Sequence, residues 1–137
     1  MRSRRPAALW AAAVAYAAAI FVLSSMAVPA PAQEALQLVG DKALHVAEYG
    51  GFAFLLALAI ATTPSPRIRS RSALYALAGA ILYAATDELH QTFVAGRQGD
   101  LTDFAADALG AGIASIFYQA WRWRAARVSP VSETSPR

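Results

Sequence analysis

The chain has 137 residues, 57% of them hydrophobic and only 15% charged. That is room for one domain, and a greasier one than a soluble domain of this size normally is. It contains no cysteine, which excludes a disulfide framework, a zinc–thiolate site, an iron–sulfur cluster and a thiol nucleophile. The net charge is +3, but Lys and Arg fall in clusters at 2, 4 and 5, at 67, 69 and 71, and at 122, 124, 127 and 137, with only Lys42 and Arg97 elsewhere. These clusters bracket the apolar segments and form no basic face interleaved with aromatics, so no nucleic-acid partner is expected.

Four apolar segments follow in order. Pro6 to Val28 is a nearly unbroken run, long enough at about 1.5 Å per residue to cross a hydrocarbon core of roughly 30 Å. Ala43 to Ala61 is the second, Ala73 to Val94 the third and Leu101 to Trp121 the fourth. Between them lie "PAPAQEALQLVGDK", "TTPSPRIRSRS" and "AGRQGD", with Pro and Gly where helices should stop. The fold class expected is all-α, an integral membrane bundle of four transmembrane helices. Cytoplasmic flanks carry the excess of Lys and Arg. Placing both termini and the 62–72 loop inside puts ten of the twelve basic residues there. The division is then a basic cytoplasmic N-terminus over 1–6, a transmembrane domain over 7–121, and a basic, disordered cytoplasmic tail over 122–137. An alternative for the start is a cleaved signal peptide ending near "APA"; it leaves the orientation of the remaining spans unchanged. The location expected is the plasma (inner) membrane, multi-pass.

The polar residues of this chain are not scattered. With the orientation above, Asp41, His45 and Glu48 enter span two from outside, Asp87, His90 and Gln91 lie near the outer end of span three, and Asp103 and Asp107 open span four. Each set repeats at three or four residues and so marks one helix face. Ionisable groups in a bilayer are costly and turn toward a partner or a water-filled cavity. The stripes therefore predict a polar pocket open to the extracytoplasmic side.

Asp41-Lys42, His45 and Tyr49 on one span, followed by Asp87-Glu88, Gln91, Phe93, Arg97, Asp103, Asp107 and Gly110, resemble the pattern of the VanZ-like family of small polytopic membrane proteins. The resemblance covers roughly residues 9 to 120, and "DE-x-x-Q-x-F-x-x-x-R" is its core. Position 107, often Asn in that family, is Asp here. The family's namesake is associated with resistance to the glycopeptide teicoplanin, so the resemblance implies a role in the cell envelope and no defined reaction.

The candidate catalytic groups are Glu88 and Asp87, as proton carriers. The candidate substrate-binding set is Asp41, Lys42, His45, Glu48, Tyr49, His90, Gln91, Arg97, Asp103 and Asp107, with Arg97 suited to a carboxylate or phosphate. The competing reading of Glu88, Gln91 and Arg97 is structural, as interhelical hydrogen bonds and an ion pair. Lys42 reads as a snorkelling side chain paired with Asp41. His45-x-x-Glu48 and Asp87-x-x-His90 resemble metal-ligand pairs of helical bundles, but structural histidines explain them as well, so no metal and no cofactor is expected. The partners expected are membrane lipid, a lipid-linked envelope substrate or a glycopeptide, and a second copy of the chain, since four short spans make a thin bundle. A non-catalytic scaffold or resistance factor is the alternative. A transporter or proton relay is less favoured, because the cytoplasmic halves of the spans offer almost no polar residues.

Overall fold

The computed structural model describes residues 5–26 and 40–128. Among these residues there are only helices and connecting turns: α1 (Arg5–Ser24), α2 (Asp41–Ile60), a short α3 (Pro66–Ser70), α4 (Ser72–Gln91) and α5 (Leu101–Val128). The all-α expectation holds. By length and composition, two of them, α1 and α2, are long and apolar enough to cross a membrane. α4 and α5 carry their acidic residues within the helix, Asp87 and Glu88 near the end of one and Asp103 and Asp107 near the start of the other.

The bundle is built with small residues inside and large ones outside. Ala53, Ala57, Ala76, Ala80, Ala84 and Ala111 are fully buried, whereas Val14, Leu74, Leu82, Leu109, Ile116 and Phe117 are exposed. A water-soluble domain would turn those large side chains inward. Helices that associate in lipid gain nothing by doing so and instead bring small residues to their contacts, where backbones can approach closely.

α2 and α5 make the most extensive contact, α4 packs against both, and α1 lies on α2 and touches α4. The α2–α5 approach depends on glycine. A Cβ at Gly110 would run into the backbone of Val46, and one at Gly50 would lie 3.3 Å from the Gly110 carbonyl oxygen. Tyr49, Phe52 and Ile20 fill the middle of the bundle with the buried alanines. At the far end, Ala57, Ile60, Ala76 and Tyr118 form a second cluster. There the Arg122 guanidinium lies 5.8 Å above the Tyr118 ring and donates to Ser72 Oγ and to the Arg69 carbonyl, both at 2.9 Å.

Several details differ from the sequence reading, beginning with α1, which stops at Ser24 and not at Val28. α4 stops at Gln91, not Val94, because residues 92–94 turn on bonds such as Phe93 N to His90 O at 2.9 Å. α5 runs past Trp121 to Val128; residues 122–128, assigned to the tail, are mostly Arg and Ala, good helix formers, with no proline among them. The rest of the tail, 129–137, lies outside the described residues, as do the linker 27–39 and residues 1–4. The loop 62–72 contains α3, which starts where Ser65 accepts from the Ile68 N–H and Pro66 occupies the first turn.

Candidate functional site

α1 ends, α2 begins, α4 ends and α5 begins at the same end of the bundle, and the acidic side chains and both histidines of the described residues collect there. A recess of about 150 Å³ opens between α1, α2 and α4. Ile20, Leu23, Leu44 and Tyr49 form part of its wall, and Ser24, Asp41, His45, Glu48, Asp87, Gln91 and Arg97 the rest.

Asp87 is the best buried carboxylate on that wall, with 6% of its surface exposed. Ser24 Oγ donates to its Oδ1 at 2.6 Å, and the Tyr49 hydroxyl and Gln91 Nε2 approach its Oδ2 at 3.4 Å each. Three helices thus meet on one carboxylate. Gln91 lies one turn beyond Asp87 on α4, the spacing that puts two side chains on the same face.

His45 sits between two helices. Its Nδ1 lies 2.9 Å from Asp107 Oδ1, and its Nε2 is 3.7 Å from Asp103 and 3.9 Å from Asp41. With a carboxylate as acceptor, Nδ1 carries the proton, and the ring is fixed in orientation. Asp107, 1% exposed, therefore stands behind the recess and reaches it only through His45. Its second oxygen is buried and makes no hydrogen bond. The aspartate that stands where the resembling family often has asparagine is hydrogen-bonded by the histidine.

Asp41, His45 and Asp103 each offer a ligand atom within 4.8 Å of the others. The metal-like pairings read from sequence are not the ones assembled: His45 meets Asp41, Asp103 and Asp107, while His90 stacks on Phe21 with ring centroids 4.6 Å apart. Lys42 pairs with Asp103 and lies 3.7 Å from both Asp41 and Asp100, so its expected partnership with Asp41 is one of three.

Several sequence candidates fall outside the recess. Glu88 follows Asp87 directly, and adjacent residues on a helix do not share a face. Its Oε2 accepts from the Asp100 N–H at 2.7 Å, which ties the 92–100 turn to α4, and its Oε1 is buried without a hydrogen bond. Asp100 caps α5, its Oδ1 accepting from the Thr102 N–H at 2.7 Å and from the Thr102 hydroxyl at 2.9 Å. That N–H holds the Asp100 carboxyl below the usual carboxylate range. His90 meets Ser25 Oγ at 3.0 Å, but the Ser25 hydroxyl donates to the Phe21 carbonyl at 2.6 Å. Its one proton is spent, so the pair is not an activated nucleophile. Asp103 lies in a neighbouring, more open polar recess of about 480 Å³ with Gln91, Gly96, Arg97 and Gln98.

Arg97 is on the wall, but among the described residues it engages no carboxylate by hydrogen bond or ion pair. Its Nε donates to the Met26 carbonyl and its Nη2 to the Leu23 carbonyl, both at 3.0 Å. The last carbonyls of a helix lack intrahelical donors, and Arg97 reaches one of them, Leu23, together with the Met26 carbonyl just past the end of α1. Spacing along one span could not reveal Ser24 or the apolar side of the recess, since α1 meets α4 across 63 residues of sequence. The only local signal was the Ser24-Ser25 pair at the polar end of an otherwise apolar helix.

No curated protein and no solved structure matches the chain. A profile of VanZ/LLP1 proteins matches residues 6–122, a range that contains every residue of the recess and nearly all of the four long helices. The chain therefore belongs to the VanZ/LLP1 family, as its DE-x-x-Q-x-F-x-x-x-R segment leads one to expect.

Proposed function

We propose that this chain is a four-span protein of the bacterial-type cell envelope, with both termini in the cytoplasm, whose recess opens on the extracytoplasmic side and receives the polar end of a membrane lipid or lipid-linked molecule. The observation that carries this reading is the composition of the recess wall. Ionisable groups from α2 and α4 and the Arg97 guanidinium face Ile20 and Leu23 of α1 and Leu44 of α2 across one small space. Ionisable groups within a membrane bundle mark functional sites by default, and a polar wall beside an apolar one suits an amphiphile. The positive-inside distribution of Arg67, Arg69, Arg71, Arg122, Arg124 and Arg127 supports the orientation. The family association with glycopeptide resistance is compatible with an envelope lipid as the ligand.

The geometry favours binding over chemistry. Glu88, one of the two candidate proton carriers, is committed to the Asp100 N–H, and Asp87 is held by donors from three helices. The second reading is a scaffold in which these groups only join helices, and the Ser24–Asp87 and His45–Asp107 bonds favour it. Mass spectrometry of lipid retained by the full chain purified in mild detergent separates the two. Binding requires that Glu48→Leu release a lipid that the wild type retains while the melting temperature stays within a few degrees. A scaffold requires the melting temperature to fall and the retained lipid to stay the same.

A further inference from the structure

The charges on the recess wall do not balance, and the imbalance points to the ligand. Asp41, Glu48 and Asp87 are its carboxylates, and Arg97 and His45 its cationic or basic groups. Arg97 is directed to the Leu23 and Met26 carbonyls. Both nitrogens of His45 face carboxylates, Asp107 on one side and Asp41 and Asp103 on the other. Asp87 has Ser24, Tyr49 and Gln91 as donors, and Asp41 has Lys42 at 3.7 Å. Glu48 is different. Among the described residues no hydrogen bond or ion pair reaches its carboxylate, although it lies half-buried on the wall, one turn from Leu44 and beside Tyr49.

A carboxylate withdrawn from water without a partner is costly, and a counter-ion offsets that cost. Among the described residues His45 and Arg97 act on Glu48 only from a distance, without an ion pair, since each is committed to other partners. The same three carboxylates would repel a phosphate or carboxylate brought into the recess, most strongly beside the buried Asp87. The volume, about 150 Å³, corresponds to roughly five water molecules at about 30 Å³ each. A small ammonium group fits in that space. Ile20, Leu23 and Leu44 complete the wall, so whatever carries the ammonium presents apolar surface next to it.

We infer that the recess binds the ammonium group of an amine-bearing amphiphile, with Glu48 as its counter-ion. This rests on the recess being a ligand site, as proposed above. The ammonium could belong to an aminolipid headgroup or to a free organic amine, and both would meet the same carboxylates.

The full chain in a non-ionic detergent would be titrated with dihexanoyl-phosphatidylethanolamine, with dihexanoyl-phosphatidylglycerol, which has the same chains and no amine, and with ethylammonium chloride. Isothermal calorimetry gives the affinity, and Gly112→Ala, where an added Cβ meets nothing within 4 Å, serves as the neutral control. The expected result is saturable binding of the ethanolamine lipid, at least tenfold tighter than the glycerol lipid, and weakened about tenfold by Glu48→Gln. Leu44→Lys, which offers the recess an ammonium of its own, should weaken it as well and covers the case in which Glu48→Gln does not fold. Ethylammonium binding as tight as the lipid's, and equally sensitive to Glu48→Gln, supports the ammonium site and makes a free amine its source. If both lipids bind alike and both respond to the variants, the charge assignment is overturned while the recess remains a ligand site. If binding of every probe is indifferent to both variants, the ammonium site and the ligand-site reading fall together.

Discussion

Ser24 of α1 donates to Asp87 of α4 at 2.6 Å, the shortest link between the helix at the edge of the bundle and its centre. α1 otherwise rests mainly on α2, so this bond and the Tyr83 hydroxyl on the Ala17 carbonyl, at 2.7 Å, fix its rotation relative to α4. A hydrogen bond to a charged group is worth about 1.5–3 kcal/mol in general, but interhelical bonds in membranes average roughly 0.6 and reach about 1.7 kcal/mol. Ser24→Ala and Asp87→Asn, taken singly and together in a double-mutant cycle, should therefore show a coupling of about 1–2 kcal/mol in unfolding from detergent. Additive effects would mean that the two residues do not depend on each other.

The α2–α5 contact gives a second, sharper expectation. Gly110 and Gly112 are two residues apart on the same helix, yet an added Cβ at Gly110 meets the Val46 backbone and one at Gly112 meets nothing within 4 Å. Backbone cannot move aside as a flexible side chain can, so Gly110→Ala should cost about 1–3 kcal/mol or prevent assembly, as overpacking does elsewhere. Gly112→Ala should be neutral or slightly stabilising, since alanine is the better helix former. Melting temperature and yield of monodisperse protein read both, and equal behaviour of the two variants would contradict the packing described.

Glu88 is expected to act on the 92–100 turn and not on the ligand. Its Oε2 receives the Asp100 N–H at 2.7 Å, and Asp100 in turn caps α5. Glu88→Ala should raise amide hydrogen exchange from Asp100 to Phe104 several-fold while leaving exchange in α2 unchanged, because local openings follow local contacts. A loss of ligand binding with no change in exchange would return Glu88 to the site.

These cases show what the sequence could and could not disclose. The helices of the bundle were legible because the apolar runs are long and end at Gly, Pro and Arg. The stripe Asp41, His45, Glu48 was legible for the same geometric reason that Gln91 lies under Asp87: residues three and four apart share a face. That rule places the stripes and says nothing about which helix each will meet. His90 belongs to the same stripe as Asp87 by spacing, yet it stacks on Phe21 of α1. Arg97 carries a charge that suggests an anion, and its geometry instead serves the carbonyl end of α1. Nothing along the sequence marks a partner for Ser24, because its role depends on a residue 63 positions away. α3 and residues 122–128 were missed for a local reason, since arginine-rich segments next to proline and serine read as polar linkers although arginine favours helices.

The central claim is that the recess faces the outside of the membrane. The native chain has no cysteine, so single cysteines at Leu44, on the recess wall, and at Arg69 and Arg124, toward the other end of the bundle, report accessibility without background. In intact cells a membrane-impermeant thiol reagent should label Leu44→Cys, more slowly when the ligand is present, and should label Arg69→Cys and Arg124→Cys only after permeabilisation. Labelling of Arg69→Cys or Arg124→Cys from outside, with Leu44→Cys reached only from the cytoplasm, would contradict the orientation and with it the envelope-facing site.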